Sequence, residues 1–166
     1  FIFFFILIFF FNPLFAKSLL IQSKNISLDK DKQISVFKDE VFVKTDNNHT
    51  VESDLAEYDK KNGIVKFKYN IILKDDKGNI ITANEAEYNE SKKIFKTKGY
   101  AKIETSENYI IESEDIVLNK ELNSVISEKK TTIQDNENNI ISLDNFEYQK
   151  QNKIFKSIGL IEIQDK

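Results

Sequence analysis

The chain has no cysteine, methionine, tryptophan or arginine, and one histidine and one proline among 166 residues. Each shortage removes a class of function. Without cysteine there is no disulfide framework, thiolate metal site or cysteine nucleophile, and the lone His49 leaves no second imidazole for a zinc site. Without arginine all 24 cationic side chains are lysines, and the formal net charge is -3. Neither a basic footprint for nucleic acid nor a bidentate phosphate clamp is expected. No nucleic-acid partner, metal, cofactor or catalytic group follows from this composition. What is present, 40% hydrophobic and 31% charged residues, describes one ordinary globular domain.

That average conceals two segments. Residues 1–11 are all apolar, eight of the 14 Phe lie within the first 15 residues, and no charge precedes Lys17. As a helix the run would be ~16 Å long, about half the thickness of a bilayer core, so it is too short to span. Followed by Asn12-Pro13-Leu14-Phe15-Ala16, it reads as the core of a secretory signal cleaved after Ala16, with residues 17–166 as the mature domain. The basic stretch that normally precedes such a core is absent, as is Met, so the chain is expected to begin inside a longer reading frame.

The mature part repeats every 30 residues without a gap, in five copies beginning at Ile21, Val51, Ile81, Ile111 and Ile141, the last one short. The sixth and eighth positions read Ile26/Leu28, Ala56/Tyr58, Ala86/Tyr88, Ile116/Leu118 and Phe146/Tyr148. The fourteenth is Ile34, Ile64, Ile94 and Ile154, with Ser124 as the exception, and the twenty-third is Val43, Leu73, Ile103, Ile133 and Ile163. Within a copy the pattern has period two, as in Lys66-Phe67-Lys68 and Ala101-Lys102-Ile103-Glu104, which predicts strands. Two turn-forming clusters per copy separate them, for example Asp59-Lys60-Lys61-Asn62-Gly63 and Asp75-Asp76-Lys77-Gly78-Asn79. Each copy is therefore predicted as a strand, a tight turn, and a longer strand bent near its nineteenth position, where Gly99 and Gly159 fall. The predicted fold is all-β, an antiparallel meander of at least ten strands.

Alternation assigns the faces. The inward set is Val41, Val43, Ala56, Tyr58, Phe67, Ile71, Leu73, Ala86, Tyr88, Phe95, Ala101, Ile103, Ile116, Leu118, Ile133, Phe146, Tyr148, Phe155, Ile161 and Ile163. Lys66, Lys68, Lys96, Lys102 and Glu162 point outward. A long twisted sheet that is apolar along one face is expected to fold over so that this face lines the interior of a sandwich or half-open roll.

The segments Ser53-Asp54-Leu55-Ala56-Glu57-Tyr58-Asp59 and Thr82-Ala83-Asn84-Glu85-Ala86-Glu87-Tyr88-Asn89 are each followed by an apolar-lysine unit, Ile64-Val65-Lys66-Phe67 or Ile94-Phe95-Lys96-Thr97-Lys98-Gly99. Phe146-Glu147-Tyr148 with residues 154–159 gives a third copy. In this the chain resembles the OstA-like domain, the periplasmic β-jellyroll shared by the lipopolysaccharide-transport proteins LptA and LptC and by the N-terminal part of the outer-membrane protein LptD. The likeness covers roughly residues 21–163, and the fourth copy departs from it, with Ile116-Val117-Leu118 and Ser124. It implies a periplasmic location, the lipid A part of lipopolysaccharide as ligand in a groove formed by the inward set, and homologous β-jellyroll domains as edge-to-edge partners. It leaves open a whole LptA-like protein or the front of an LptD-like one, in which an outer-membrane barrel would follow.

Plainer readings stand beside these. An inward apolar row is what any packed core needs, although the small Ala56, Ala86 and Ala101 beside large residues leave room that a core tends to fill. Glu85/Glu87 and Glu112/Glu114/Asp115 read as solvated strand faces beside lysine, and His49 as a surface turn residue. The function expected is a non-catalytic lipid carrier. The alternative is a structural or adhesive β-repeat module, such as a parallel-stacked β-solenoid, that binds only protein.

Overall fold

A computed structural model describes residues 19–45, 48–152 and 154–165, so the expected signal at 1–16 lies outside the described residues. The described residues form strands and turns only. In order these are β1 (Leu20–Gln22), β2 (Asn25–Asp29), β3 (Ile34–Lys44), β4 (Thr50–Asp59), β5 (Ile64–Lys74), β6 (Ile80–Asn89), β7 (Ile94–Glu104) and β8 (Ile110–Glu114). They continue as β9 (Val117–Asn119), β10 (Ser124–Ser127), β11 (Thr131–Gln134), β12 (Ile140–Leu143), β13 (Phe146–Gln149), β14 (Ile154–Lys156) and β15 (Ile161–Gln164). Every pairing among them is antiparallel. A parallel solenoid is thereby excluded for the described strands.

The strands build two ladders. One runs β1-β3-β4-β5-β6-β7-β8-β11-β12-β15. The other runs β2-β3-β4-β5-β6-β7-β9-β10-β13-β14, so the long strands β3 to β7 belong to both. Between the halves of each long pair the register shifts, at Lys38/Val41, Glu52/Leu55, Lys68/Ile71 and Ala83/Glu85. Such bulges bend the strands and add twist.

The 30-residue repeat is written into backbone geometry. At the bend, Asp39, Glu40, Tyr69, Asn70, Gly99 and Gly159 have positive φ. At one row of turns the positive-φ residues are Gln33, Gly63, Lys93 and Asn123, and at the other Asn48, Gly78, Asn108 and Asn138. The first row is held by Asp29, Asp59, Asn89 and Asn119. Their side chains accept from the N–H groups of Lys32, Asn62, Lys92 and Leu122 at 2.9–3.0 Å. This is the side-chain mimicry of a turn that Asp and Asn provide.

In the fourth copy the strands break at the bend instead of passing through it, and hydroxyls take up backbone bonds there. Thr97 Oγ1 accepts from the Ile116 N–H at 2.9 Å, and Ser127 donates to the Glu114 carbonyl at 2.7 Å. Ser113 joins Ser127 at 2.9 Å and Thr131 at 2.8 Å, all three buried. Buried polar groups so paired cost little.

An 11-residue strand laid straight is ~36 Å long, yet the turns at opposite ends of the two ladders touch. Lys120 Nζ donates to Thr45 Oγ1 at 3.1 Å, and Lys150 Nζ lies 3.4 Å from Asp75 Oδ2. The sheet is folded at the bulges, and its two halves meet again along a seam. Each contact spans 75 residues, so the halves are offset along the seam by two and a half copies.

The interior holds most of the predicted inward set. Val41, Val43, Ala56, Phe67, Ile71, Leu73, Ala86, Tyr88, Phe95, Ala101, Ile103, Ile116 and Phe146 are buried, and Tyr58, Leu118, Ile133 and Tyr148 pack against them half-buried. The inward placement does not hold for Phe155, Ile161 and Ile163, which are 43%, 50% and 69% exposed. Ile161 and Ile163 sit on the last rung of their ladder, where the offset leaves no facing layer. Phe155, stacked on Phe146 at 6.0 Å, lies on the edge strand of the other ladder. At the opposite end Ile26 and Leu28 on β2 are exposed in the same way.

Replacing Ile71 or Leu73 by Asp is expected to abolish the cooperative melt, because an unpaired buried carboxylate costs several kcal/mol. Lys74→Gln, at an exposed strand end 3.4 Å from Glu52, should shift stability by less than ~1 kcal/mol. Chemical denaturation of the three variants checks both statements.

Candidate functional site: an apolar interior closed by a polar seam

The interior is built from two sets of rows. On β3, β5 and β7 the pairs Val41/Val43, Ile71/Leu73 and Ala101/Ile103 follow each bulge, with Phe37, Phe67 and Phe95 before it, all buried. The rings of Phe67 and Phe95 lie 6.2 Å apart and tilted. On β4 and β6 the inward residues are Val51 and Ala56, then Ile81, Ala86 and Tyr88. These side chains close on one another in a single buried cluster. The apolar face then continues past the closed region onto Ile161 and Ile163, with Leu160 and Ile158 beside them, all facing solvent.

The outer face carries paired charge. Glu85 lies 3.5 Å from Lys98, the Tyr100 hydroxyl donates to Glu112 at 2.6 Å, and Asp115 accepts from the Gly99 N–H at 2.8 Å. Among the described residues no group of three His, Asp or Glu is placed to hold a metal ion.

The seam is where sequence reasoning missed most. Asp75 anchors its own turn, accepting from the N–H groups of Lys77 and Asn79 at 2.9 Å, while its other oxygen meets Lys150. Burial pushes the Asp75 carboxyl up, but the hydrogen bonds from Asn79 and Lys77 and the Lys150 ammonium outweigh it and hold it below the usual range. Lys120 also sits 5.2 Å from the centre of the Tyr88 ring, a cation over an aromatic face. His49 is no surface histidine: its side chain is 17% exposed and its Nε2 lies 3.7 Å from Asp76. Burial lowers the His49 pKa from 6.5, Lys120 lowers it further, and Asp75 and Asp76 only partly oppose them. Contacts 75 residues apart leave no local trace in a sequence. The one available signal was the row of turn-opening residues Thr45, Asp75, Thr105 and Asp135 at the repeat spacing.

A cavity of about 380 Å³ opens into the seam. Leu73 and Phe95 line it from the interior, Ser124 from the start of β10, and His49, Asp75, Lys120 and Lys150 from the turns. The Ser124 Oγ is buried without a hydrogen-bond partner.

No protein-family model and no curated protein matches the sequence. Among solved structures the chain is similar to LptH from Pseudomonas aeruginosa, described as the LptA homologous periplasmic component of the conserved lipopolysaccharide transport device. The identity is 12% over 90% of this chain and 96% of that chain, with a TM-score of 0.34.

The seam gives the fold a pH dependence. With its pKa depressed on folding, His49 takes up its proton at a lower pH in the folded protein than in the unfolded chain, which protonates below about 6.5. Stability is full above that pH and declines as the pH falls through the window beneath it. Asp75, also depressed, adds stability that is fully present above its ordinary 3.8 and is lost only as the pH falls below that value. Melting temperatures from pH 7.5 to 5 should therefore fall for the parent chain and fall less for His49→Gln.

Proposed function

We propose that the chain is a non-catalytic periplasmic carrier that shelters the acyl chains of an amphiphile, the lipid A part of lipopolysaccharide, and passes it towards the outer membrane. The observation that carries this reading is the continuation of the interior apolar face onto the exposed last rung, at Ile161 and Ile163. A packed core has no need of such an extension, and large apolar side chains left in water mark a surface that something covers. A track along which a lipid slides from one domain to the next needs just such an open end. The Ala-Glu-Tyr and apolar-lysine units of the repeat support the same reading through their resemblance to the OstA-like domain.

The energetics suit transport. One acyl chain of about 12 carbons moved from water gains at most ~10 kcal/mol, at ~0.8 kcal/mol per methylene, before association costs. Several chains held in a closed pocket would leave too slowly, so partial shelter in a roll that parts along one seam fits a carrier better. A photo-crosslinker at Ile103, which is buried, should capture lipopolysaccharide, and one at Lys102 on the outer face should not. Capture at Lys102 alone would contradict the reading. Capture at neither would favour a structural module that binds only protein.

The sheet is open, and its terminal rungs bear little protection. β15 carries the single charge Glu162 at its centre, and β1 and β2 contain no proline. Unpaired edges of this kind are templates for another strand. Addition of a homologous domain, or of a second copy, through residues 160–164 and 21–28 would extend the apolar face into a continuous track. Light scattering on concentrated protein should show association that drops in the folded Ile161→Pro/Ile163→Pro double variant. Undiminished association would exclude the C-terminal edge as the joint.

A further inference from the structure

The seam cavity is distinct in size and chemistry from the long apolar interior. At about 380 Å³ it has room for one small single-chain ligand, at the low end of the ~300–1,000 Å³ typical of small-molecule sites. Its floor is apolar, from Leu73, Phe95 and Leu118. Leu118 stands where three copies carry Tyr58, Tyr88 and Tyr148, so this wall is shorter by a phenol ring. Ser124 stands where the other four copies carry Ile, and it is 5% exposed with its Oγ unpartnered. A buried hydroxyl without a partner weakens a fold, and a ligand oxygen would satisfy it. Both departures of the fourth copy thus line one cavity.

Its mouth is cationic. Lys77, Lys120 and Lys150 line it against two carboxylates, Asp75 and Asp76. His49, with its pKa lowered by burial and by Lys120, adds no charge near pH 7. An ammonium has three donors, and an anion at the mouth can accept from Lys120 and Lys150 in exchange for their contacts to Thr45 and Asp75.

We propose that the seam cavity binds a single-chain amphiphile with an anionic head, the chain lying on Leu73, Phe95 and Leu118 and the head held by Lys120, Lys150 and the Ser124 hydroxyl. The proposal rests on the reading that the interior accepts acyl chains, and it adds the place and the charge of the head group. It also gives the seam a sequence of events. An anion between Lys120 and Lys150 competes with Thr45 and Asp75 for their donors, which loosens the contacts that hold the two halves together.

The test is calorimetric titration of the full chain with dodecyl phosphate below its micelle concentration. Dodecyltrimethylammonium and inorganic phosphate serve as comparison ligands. Dodecyl phosphate should bind at least ~10-fold more tightly than either, a difference of ~1.4 kcal/mol. Leu118→Tyr, which supplies the ring that three other copies carry, should weaken it by about the same factor. Ser124→Ala should raise the melting temperature, since an unpartnered buried hydroxyl is gone, and yet weaken dodecyl phosphate binding several-fold. A purely structural serine would not couple those two effects. If Leu118→Tyr fails to fold, Ser124→Ala decides alone. Equal binding of the cationic amphiphile or of inorganic phosphate, or unchanged binding in the folded variants, overturns the proposal. Crosslinking of lipopolysaccharide at Ile103 alongside that negative result would leave the carrier reading standing. Weakened binding in Ser124→Ala with no capture at Ile103 would do the reverse.

Discussion

Each long strand has to turn a corner while keeping its apolar side chains on one face. Because side chains alternate with period two, a slip of a single residue at the corner would turn the whole second half inside out. On β5 the inward residues Phe67 and Ile71 are four apart, with Tyr69 and Asn70 at positive φ between them. On the neighbouring β4 the inward residues Ser53 and Ala56 are three apart, so its parity changes at the bend. The register shift between the two strands absorbs the difference. Tyr69 is a bulky residue in a conformation such residues avoid, which the ladders on both sides enforce. The two-layered interior, its closure and its open ends all follow from this repeated bend.

From the bend comes the offset. Twist carries the halves past one another, so that Thr45 meets Lys120 and Asp75 meets Lys150 two and a half copies away. The middle rungs are then covered from both sides, while the first rungs of one ladder and the last rungs of the other face nothing. That is why Ala101 is fully buried and Ile163, on the same kind of row, is 69% exposed. The closed middle and the open ends thus have one geometric cause. The seam itself is held by polar contacts between turns, which are weaker against water and charge than the packed bend opposite. Parting of the layers is therefore easiest along the seam, and there the cavity and the lysines lie.

Much of this was legible in the sequence. The 30-residue repeat gave the turns and the strand order, and alternation placed the inward rows of β3 to β7 correctly from Val41 to Ile103. The bend at Gly99 and Gly159 was visible as glycine, but Asp39, Tyr69 and Asn70 occupy the same position without a compositional sign. Coverage was not legible at all: Ile161 alternates like Ile71, and only the stagger of the layers separates an exposed from a buried isoleucine. For the same reason His49 read as a surface turn residue, since the lysines whose charge acts on it belong to turns more than 70 residues along the chain. Ser124 was visible as an irregularity, yet its meaning depended on a partner atom that is absent from its surroundings.

The proposed carrier requires the folded sheet to part along the seam to admit a lipid. Spin labels at Lys77 and Gln151, exposed residues on the two turns that meet through Asp75 and Lys150, report that distance directly. A second pair at Lys77 and Glu107, both on turns of one ladder, serves as the internal reference. On addition of lipopolysaccharide, pulsed dipolar spectroscopy should show the cross-seam distance lengthen while the reference distance stays fixed. Lipid bound with both distances unchanged would contradict the account.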